Sequence, residues 1–163
     1  MRVKTLIVNA LIAALYFVVT WLIAPFGFTH VQFRASELFN HLIVFNRKYF
    51  FGIVLGVFFS NLILSPVKVD ILFGLAHSIL SLLMTMFFAR FITNKIILMV
   101  INTIVFSVNM FIIAYMLIVF AEVNLSFLFI WSTLALGEFI TMAVAIPIVY
   151  FINKRLDFKR MIH

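Results

Sequence analysis

Arg34, Glu37, Asp70 and Glu138 are the side chains best able to do chemistry in a chain that is 66% hydrophobic and only 10% charged. Around the first two, from His30 to His41, the sequence reads HVQFRASELFNH, which puts Gln32, Arg34, Glu37, Asn40 and two histidines into twelve positions. Such groups hold a polar ligand by charge and directed hydrogen bonds. Arg34 and Glu37 lie three apart and share a face on a helix. One reading is a solvated loop with a surface ion pair and Ser36 as helix N-cap. The other is a ligand-covering loop with Gln32, Arg34, Glu37 and Asn40 turned inward. Glu138 lies in ALGEFIT, deep in the last apolar run. A charged side chain at such depth costs about 2.5–3.5 kcal/mol on insertion scales and usually faces a cavity or a partner. It either holds the helices together, as a buried ion pair or a protonated carboxyl, or touches a ligand. Trp131, seven residues earlier, shares its face and is placed either to stack on a ring or to anchor the helix at the membrane interface. Asp70, Gly74 and His77 line another face, with Asp70 also suited to a helix N-terminus. Asn61 and Asn109 read as ligand contacts or as interhelical glue; Asn102 sits nearer the other side and ranks below them.

The elements that must position these groups are membrane spans. A soluble domain carries about 25% charged residues, and a membrane helix needs about 20 apolar ones. The candidate spans are Thr5–Ala24, a short one at Ser36–Phe45, then Tyr49–Leu64, Asp70–Ile92, Lys95–Phe120 and Ser126–Ile152. The fold class is therefore an all-α integral membrane protein of six helices, a single domain over residues 1–163. The first run is too long for a secretory signal and lacks a small-residue cleavage site after it. With six spans, ten of the twelve Lys and Arg residues fall on the side of the two termini, leaving Arg34 and Lys68 opposite. That bias places both termini in the cytoplasm, and it fails if the short second span is dropped. Pro25 and Pro66 fall at outer span ends, and Pro147 interrupts the last span. The net charge of +7 reads as orientation rather than nucleic-acid binding.

The chemistry without a motif is as telling. With no cysteine there is no disulfide, thiolate metal site or cysteine nucleophile. The sequence has no phosphate-binding G-x-x-x-x-G-K-[ST] loop, no H-E-x-x-H pair and no G-x-S-x-G elbow. No enzyme activity, metal or cofactor is expected. ATP hydrolysis, if it drives transport, belongs to another subunit. The polar residues gather toward the outer half, as in a pocket of apolar walls with a few polar groups that fix a ligand.

Gln32-Phe33-Arg34 followed by Ser36-Glu37-Leu38, with Asp70-x-x-x-Gly74 and Gly137-Glu138, resembles the queuosine-precursor transporter (QueT) family, over essentially the whole chain. That family comprises substrate-binding S components of energy-coupling factor (ECF) transporters. The chain departs from it in lacking a proline in the second span, which reads HLIVFN, and in following Gly74 with Leu-Ala-His-Ser rather than a hydroxyl-rich run. The resemblance implies a six-helix S component in a prokaryotic cell membrane that captures its ligand outside, docks onto a transmembrane T component with two ATPases, and releases it inside. Ala10 and Ala14 look like the family's docking face, and small residues four apart do let helices approach closely. The implied ligand is a 7-deazaguanine: the aminomethyl or cyano precursor, or queuine. Its N1–H and N2 amino group suit the carboxylate of Glu138. Asn109 or Gln32 suits O6, Trp131 and phenylalanines suit stacking, and Asp70 or Glu37 would neutralise an aminomethyl cation. Arg34 would pair with Glu37 and lock the covering loop. An S component for a different vitamin, or a membrane scaffold without a ligand, remain the alternative readings.

Overall fold

The computed structural model describes residues 3–24 and 34–162. Among them there is no strand. Seven α-helices follow in order: α1 (Val3–Leu22), α2 (Phe50–Leu64), α3 (Asp70–Phe88), α4 (Lys95–Asn109), α5 (Phe111–Phe120), α6 (Phe127–Leu156) and the short α7 (Phe158–Met161). A 3₁₀ helix, Ala35–Val44, stands between α1 and α2, and a 3₁₀ turn at Arg47–Tyr49 leads into α2. Pro25, like Arg2, lies outside the described residues.

Five segments are long and apolar enough to cross a membrane: α1, the turn plus α2, α3, α4 with α5, and α6. Their faces are sorted for lipid. The buried residues of α3 are Asp70, Gly74, His77, Ser78, Ser81, Leu82 and Thr85, and those of α1 include Thr5, Asn9, Tyr16 and Thr20. Leu6, Ile7, Phe51, Leu72, Phe87 and Phe139 point outward instead. Polar groups turned inward and apolar ones outward is the arrangement a bilayer requires, since no water is there to satisfy them. The chain is a multi-pass membrane protein.

The short second span of the sequence reading is the 3₁₀ helix. A 3₁₀ helix rises about 2.0 Å per residue, so these ten residues reach about 20 Å, farther than the same number would as an α-helix. Its threefold repeat also puts Arg34, just before it, in line with Glu37 and Asn40. Lys95–Phe120 is not one unbroken helix: the turn at Met110 divides α4 from α5. The last span begins where expected, with the Ser126 hydroxyl accepting from the Phe129 N–H, and α6 runs on through Pro147 as one element.

The chain ends meet at one end of the bundle. The Lys4 ammonium donates to the Arg160 carbonyl at 3.3 Å, and the Thr5 hydroxyl to that of Ile162 at 3.5 Å. Lys48 also reaches the Ile162 carbonyl, and the Tyr49 hydroxyl donates to the Phe158 carbonyl at 2.8 Å. An apolar core containing Tyr49, Phe45, Val44, Leu98 and Phe158 seals this end. A second core, with Met110, Ile113, Met116 and Leu134, ties α5 to α6, and Phe73 of α3 packs against it. The C-terminal end of α1, the N-terminal ends of α3 and α6 and the start of the 3₁₀ helix lie toward the far end.

Candidate functional site

Arg34, Glu37, Asp70 and Glu138 converge there, with Tyr16, Thr20, Ser36, Ser60 and Asn61 beside them. α1 brings Tyr16, whose hydroxyl donates to Glu37 Oε1 at 3.0 Å. Its position depends on α2. A Cβ built on Gly56 would meet the Tyr16 Cβ at 2.6 Å, so only glycine lets the two helices approach there. One turn on, the Thr20 hydroxyl lies 2.8 Å from that of Ser36 and 3.3 Å from that of Ser60. Ser36 is therefore not an N-cap; the residue preceding the 3₁₀ helix is Arg34, and no side chain caps that helix.

Arg34 and Glu37 are not a surface pair. They are 7% and 0% exposed, and Asp70 and Glu138 are 2% and 0% exposed. The Arg34 guanidinium stands between two carboxylates, 3.9 Å from Glu37 and 3.8 Å from Asp70. Charge-assisted hydrogen bonds are usually about 2.7–2.9 Å, so both pairs are loose. Glu37 is nonetheless well held, accepting from Tyr16 at one oxygen and from the Asn40 amide at the other. Asp70 opens α3 and its side chain faces Arg34. Its carbonyl accepts from the Asn61 amide at 3.2 Å. The space beside Gly74 is filled by that same amide, which a Cβ on residue 74 would strike.

Glu138 is the outlier. It is fully buried on α6, which packs against the 3₁₀ helix that carries Glu37, yet among the described residues neither of its oxygens has a hydrogen-bond partner. The same holds for Arg34 Nη2, Asn40 Oδ1, Asp70 Oδ1, His77 Nδ1 and Ser78 Oγ. His77 Nε2 lies 3.1 Å from the Phe106 carbonyl, which can only accept. Its proton is thus on Nε2, and Nδ1 is a bare acceptor. Buried polar groups in folded proteins are nearly always paired, so unpartnered ones mark capacity kept for something else, and two of them, Arg34 Nη2 and Asp70 Oδ1, stand 3.8 Å apart. The set is one guanidinium nitrogen, one hydroxyl and five acceptor atoms, so its complement is a ligand rich in N–H donors. The cavity bounded by Tyr16, Thr20, Ile23, Arg34, Ser36, Ser60 and Asn61 measures about 10 Å³, room for one water. A cavity of this size holds no ring without movement of its lining.

Not every expected residue joins this cluster. Gln32 lies outside the described residues. Trp131 does not face Glu138: its indole N–H donates to the Val108 carbonyl at 3.0 Å, its ring stacks with the exposed Phe127, and it packs against the second core. Asn109 donates to the Ser81 hydroxyl at 2.9 Å, joining α4 to α3. Asn102 belongs to a separate buried knot. Its amide donates to the Asn40 carbonyl at 3.3 Å and to His41 Nδ1 at 3.2 Å, and its oxygen accepts from Thr85 at 2.6 Å. Among the described residues no group of His, Asp or Glu could hold a metal. Sequence reasoning passed over Tyr16, Thr20, Ser60 and Ser78. The signal for the first two was a polar stripe at helical spacing on α1, Thr5, Asn9, Tyr16 and Thr20, within a largely apolar run.

Comparison with known proteins adds two findings. The family model described as QueT transporter matches residues 6–154. The Queuosine precursor transporter QueT of Lactococcus lactis subsp. cremoris (strain MG1363) is 34% identical over 160 residues, which is 93% of each chain. No solved structure matches the chain significantly.

Proposed function

The chain belongs to the QueT transporter family, and on that footing we propose that it is the substrate-binding S component of an ATP-driven ECF uptake transporter for a 7-deazaguanine. The cargo is the aminomethyl or cyano precursor of queuosine, or queuine, captured outside a prokaryotic cell and released inside. The chain is a binding subunit and not an enzyme; two partner ATPases supply the hydrolysis. The 3₁₀ helix counts as a sixth, short span, and both termini lie in the cytoplasm. Supporting this orientation, Lys4, Lys48 and Arg160 gather at the end where the chain ends meet, while the site lies at the far end.

The observation that carries the reading is Glu138, fully buried with two unpartnered oxygens. A carboxylate takes two N–H donors side by side, and the N1–H and N2 amino group of a deazaguanine offer them. Asn61 and Arg34 line the entrance, and Glu37, held by Tyr16 and Asn40, fixes Arg34. For O6, Asn109 has given its amide to Ser81, which leaves Gln32 as the candidate. Trp131 is an anchor at the α4–α6 seam rather than a stacking ring.

Ala10 and Ala14 are exposed on α1 and line an apolar groove of about 360 Å³ with Ala13, Phe17, Leu55, Phe59 and Ile63. The groove supports docking of the T component, whose helix would approach closely over the small residues.

The test is a calorimetric titration of the detergent-purified chain with the aminomethyl and cyano deazaguanines, queuine, guanine and an unrelated vitamin. Tight binding of a deazaguanine with guanine much weaker is expected. Saturation by the vitamin alone would overturn the cargo and keep the architecture.

A further inference from the structure

The chain has five acidic residues, and three of them, Glu37, Asp70 and Glu138, are buried around the single guanidinium of Arg34. Fully ionised, the cluster would carry three negative charges against one positive, a formal excess of two. Residues 25–33, the segment before Arg34, contain no Asp, Glu, Lys or Arg, so this count does not depend on them. Lys68, two residues before Asp70, is exposed. An uncompensated buried carboxylate is costly and is discharged by a proton or a cation.

The three carboxylates are not equivalent. Both Glu37 oxygens are engaged, by Tyr16 and Asn40. Glu138 sits on α6 with two free acceptors and suits the paired donors of the base edge. Asp70 sits on α3 with Oδ1 unpartnered and Arg34 at 3.8 Å, beyond a direct hydrogen bond. α3 and α6 both pack against the 3₁₀ helix, so the two carboxylates come from different helices, with Asp70 at 3.8 Å from Arg34. That suits an elongated ligand with donors at both ends.

Resting on the functional reading above, we propose that the site selects the cationic members of its ligand class, with Asp70 as counter-ion of an ammonium carried on the substituent at ring position 7. The ligand's ammonium takes the place of the Arg34 guanidinium beside Asp70, and Arg34 withdraws toward Glu37. This exchange opens the closed cavity and keeps the local charge unchanged at Asp70. The cyano compound has nothing to offer Asp70, so its entry would strand that carboxylate.

The experiment compares the full-length purified chain with three ligands of one ring system: aminomethyl, cyano and hydroxymethyl 7-deazaguanine. The hydroxymethyl form matches the aminomethyl in size and lacks its charge. The aminomethyl form is expected to bind at least about tenfold tighter than either neutral form, the scale of one hydrogen bond to a charged group. D70N is expected to bring the aminomethyl-to-neutral affinity ratio to about one, its fold certified by its thermal melt and gel filtration rather than by binding; D70E is expected to keep the preference. Equal affinities in the wild type would overturn charge selection and leave the transport reading standing. A preference that survives in D70N would overturn the role of Asp70. Should D70N fail to fold, the wild-type ratio and D70E still decide. Binding of none of the three ligands would instead remove the functional reading on which the proposal rests.

Discussion

Asn102 and Glu138 are both fully buried, on helices that both pack against the same 3₁₀ helix, yet their surroundings are opposite. Asn102 sits in a closed circuit. His41 donates from Nε2 to the Met142 carbonyl at 3.0 Å, accepts at Nδ1 from Asn102, and Thr85 completes the circuit. Glu138 has no hydrogen bond from any described residue. The two regions use similar polar residues at similar burial, so burial does not separate them. Satisfaction does. A circuit whose donors and acceptors are all matched specifies a packing and has nothing left to offer a ligand. A cluster with orphaned groups costs stability in the free protein and holds its hydrogen-bonding capacity for a guest.

This contrast can be broken by mutation. The largest effect on stability is expected in the knot. Asn102→Ala strips partners from His41 Nδ1 and the Asn40 carbonyl, while Thr85 keeps its bond to the Ser81 carbonyl, and each stranded buried group costs about 1–3 kcal/mol. A large drop in melting temperature is expected, measured by the thermal unfolding of detergent-solubilised protein. An unchanged melt would show that the knot holds nothing together. Gly74→Ala comes next. Its methyl group would drive the Asn61 amide away from the Asp70 carbonyl, and overpacking costs about 1–3 kcal/mol. Deazaguanine affinity should fall with the melt, as titration would report; full affinity would detach Asn61 from the site. Trp131→Phe is the smallest, removing one hydrogen bond to Val108, worth about 1 kcal/mol. A slight loss of stability and an unaltered affinity are expected. A large loss of affinity would return Trp131 to the ligand.

Length and hydropathy marked the five long spans in the sequence, because a bilayer sets both. Arg34, Glu37, Asp70 and Glu138 were legible as well, because charge is costly at membrane depth. The 3₁₀ geometry was not, since nothing in ASELFNHLIV distinguishes a repeat of 3.0 from one of 3.6. Trp131 shows a second limit. Seven residues return a helix to nearly the same face but carry it about 10 Å along the axis, so sharing a face with Glu138 did not mean sharing a site. Asn61 and Asn109 looked alike in sequence. Only the partners decide: Asn61 touches Asp70, and Asn109 ties α4 to α3.

The central claim is that Glu138 is kept for a ligand and not for the fold, and the thermal melt of Glu138→Gln, with and without aminomethyl deazaguanine, tests it most directly. Among the described residues both Glu138 oxygens are unpartnered in the free protein, and glutamine keeps the shape of the side chain while removing the carboxylate, so no bond holding the fold is lost and the ligand-free variant should melt close to the wild-type temperature. Ligand stabilises only what it binds, so the shift seen with wild type should vanish. A lower melting temperature with an intact ligand shift would make Glu138 a structural residue and contradict the account.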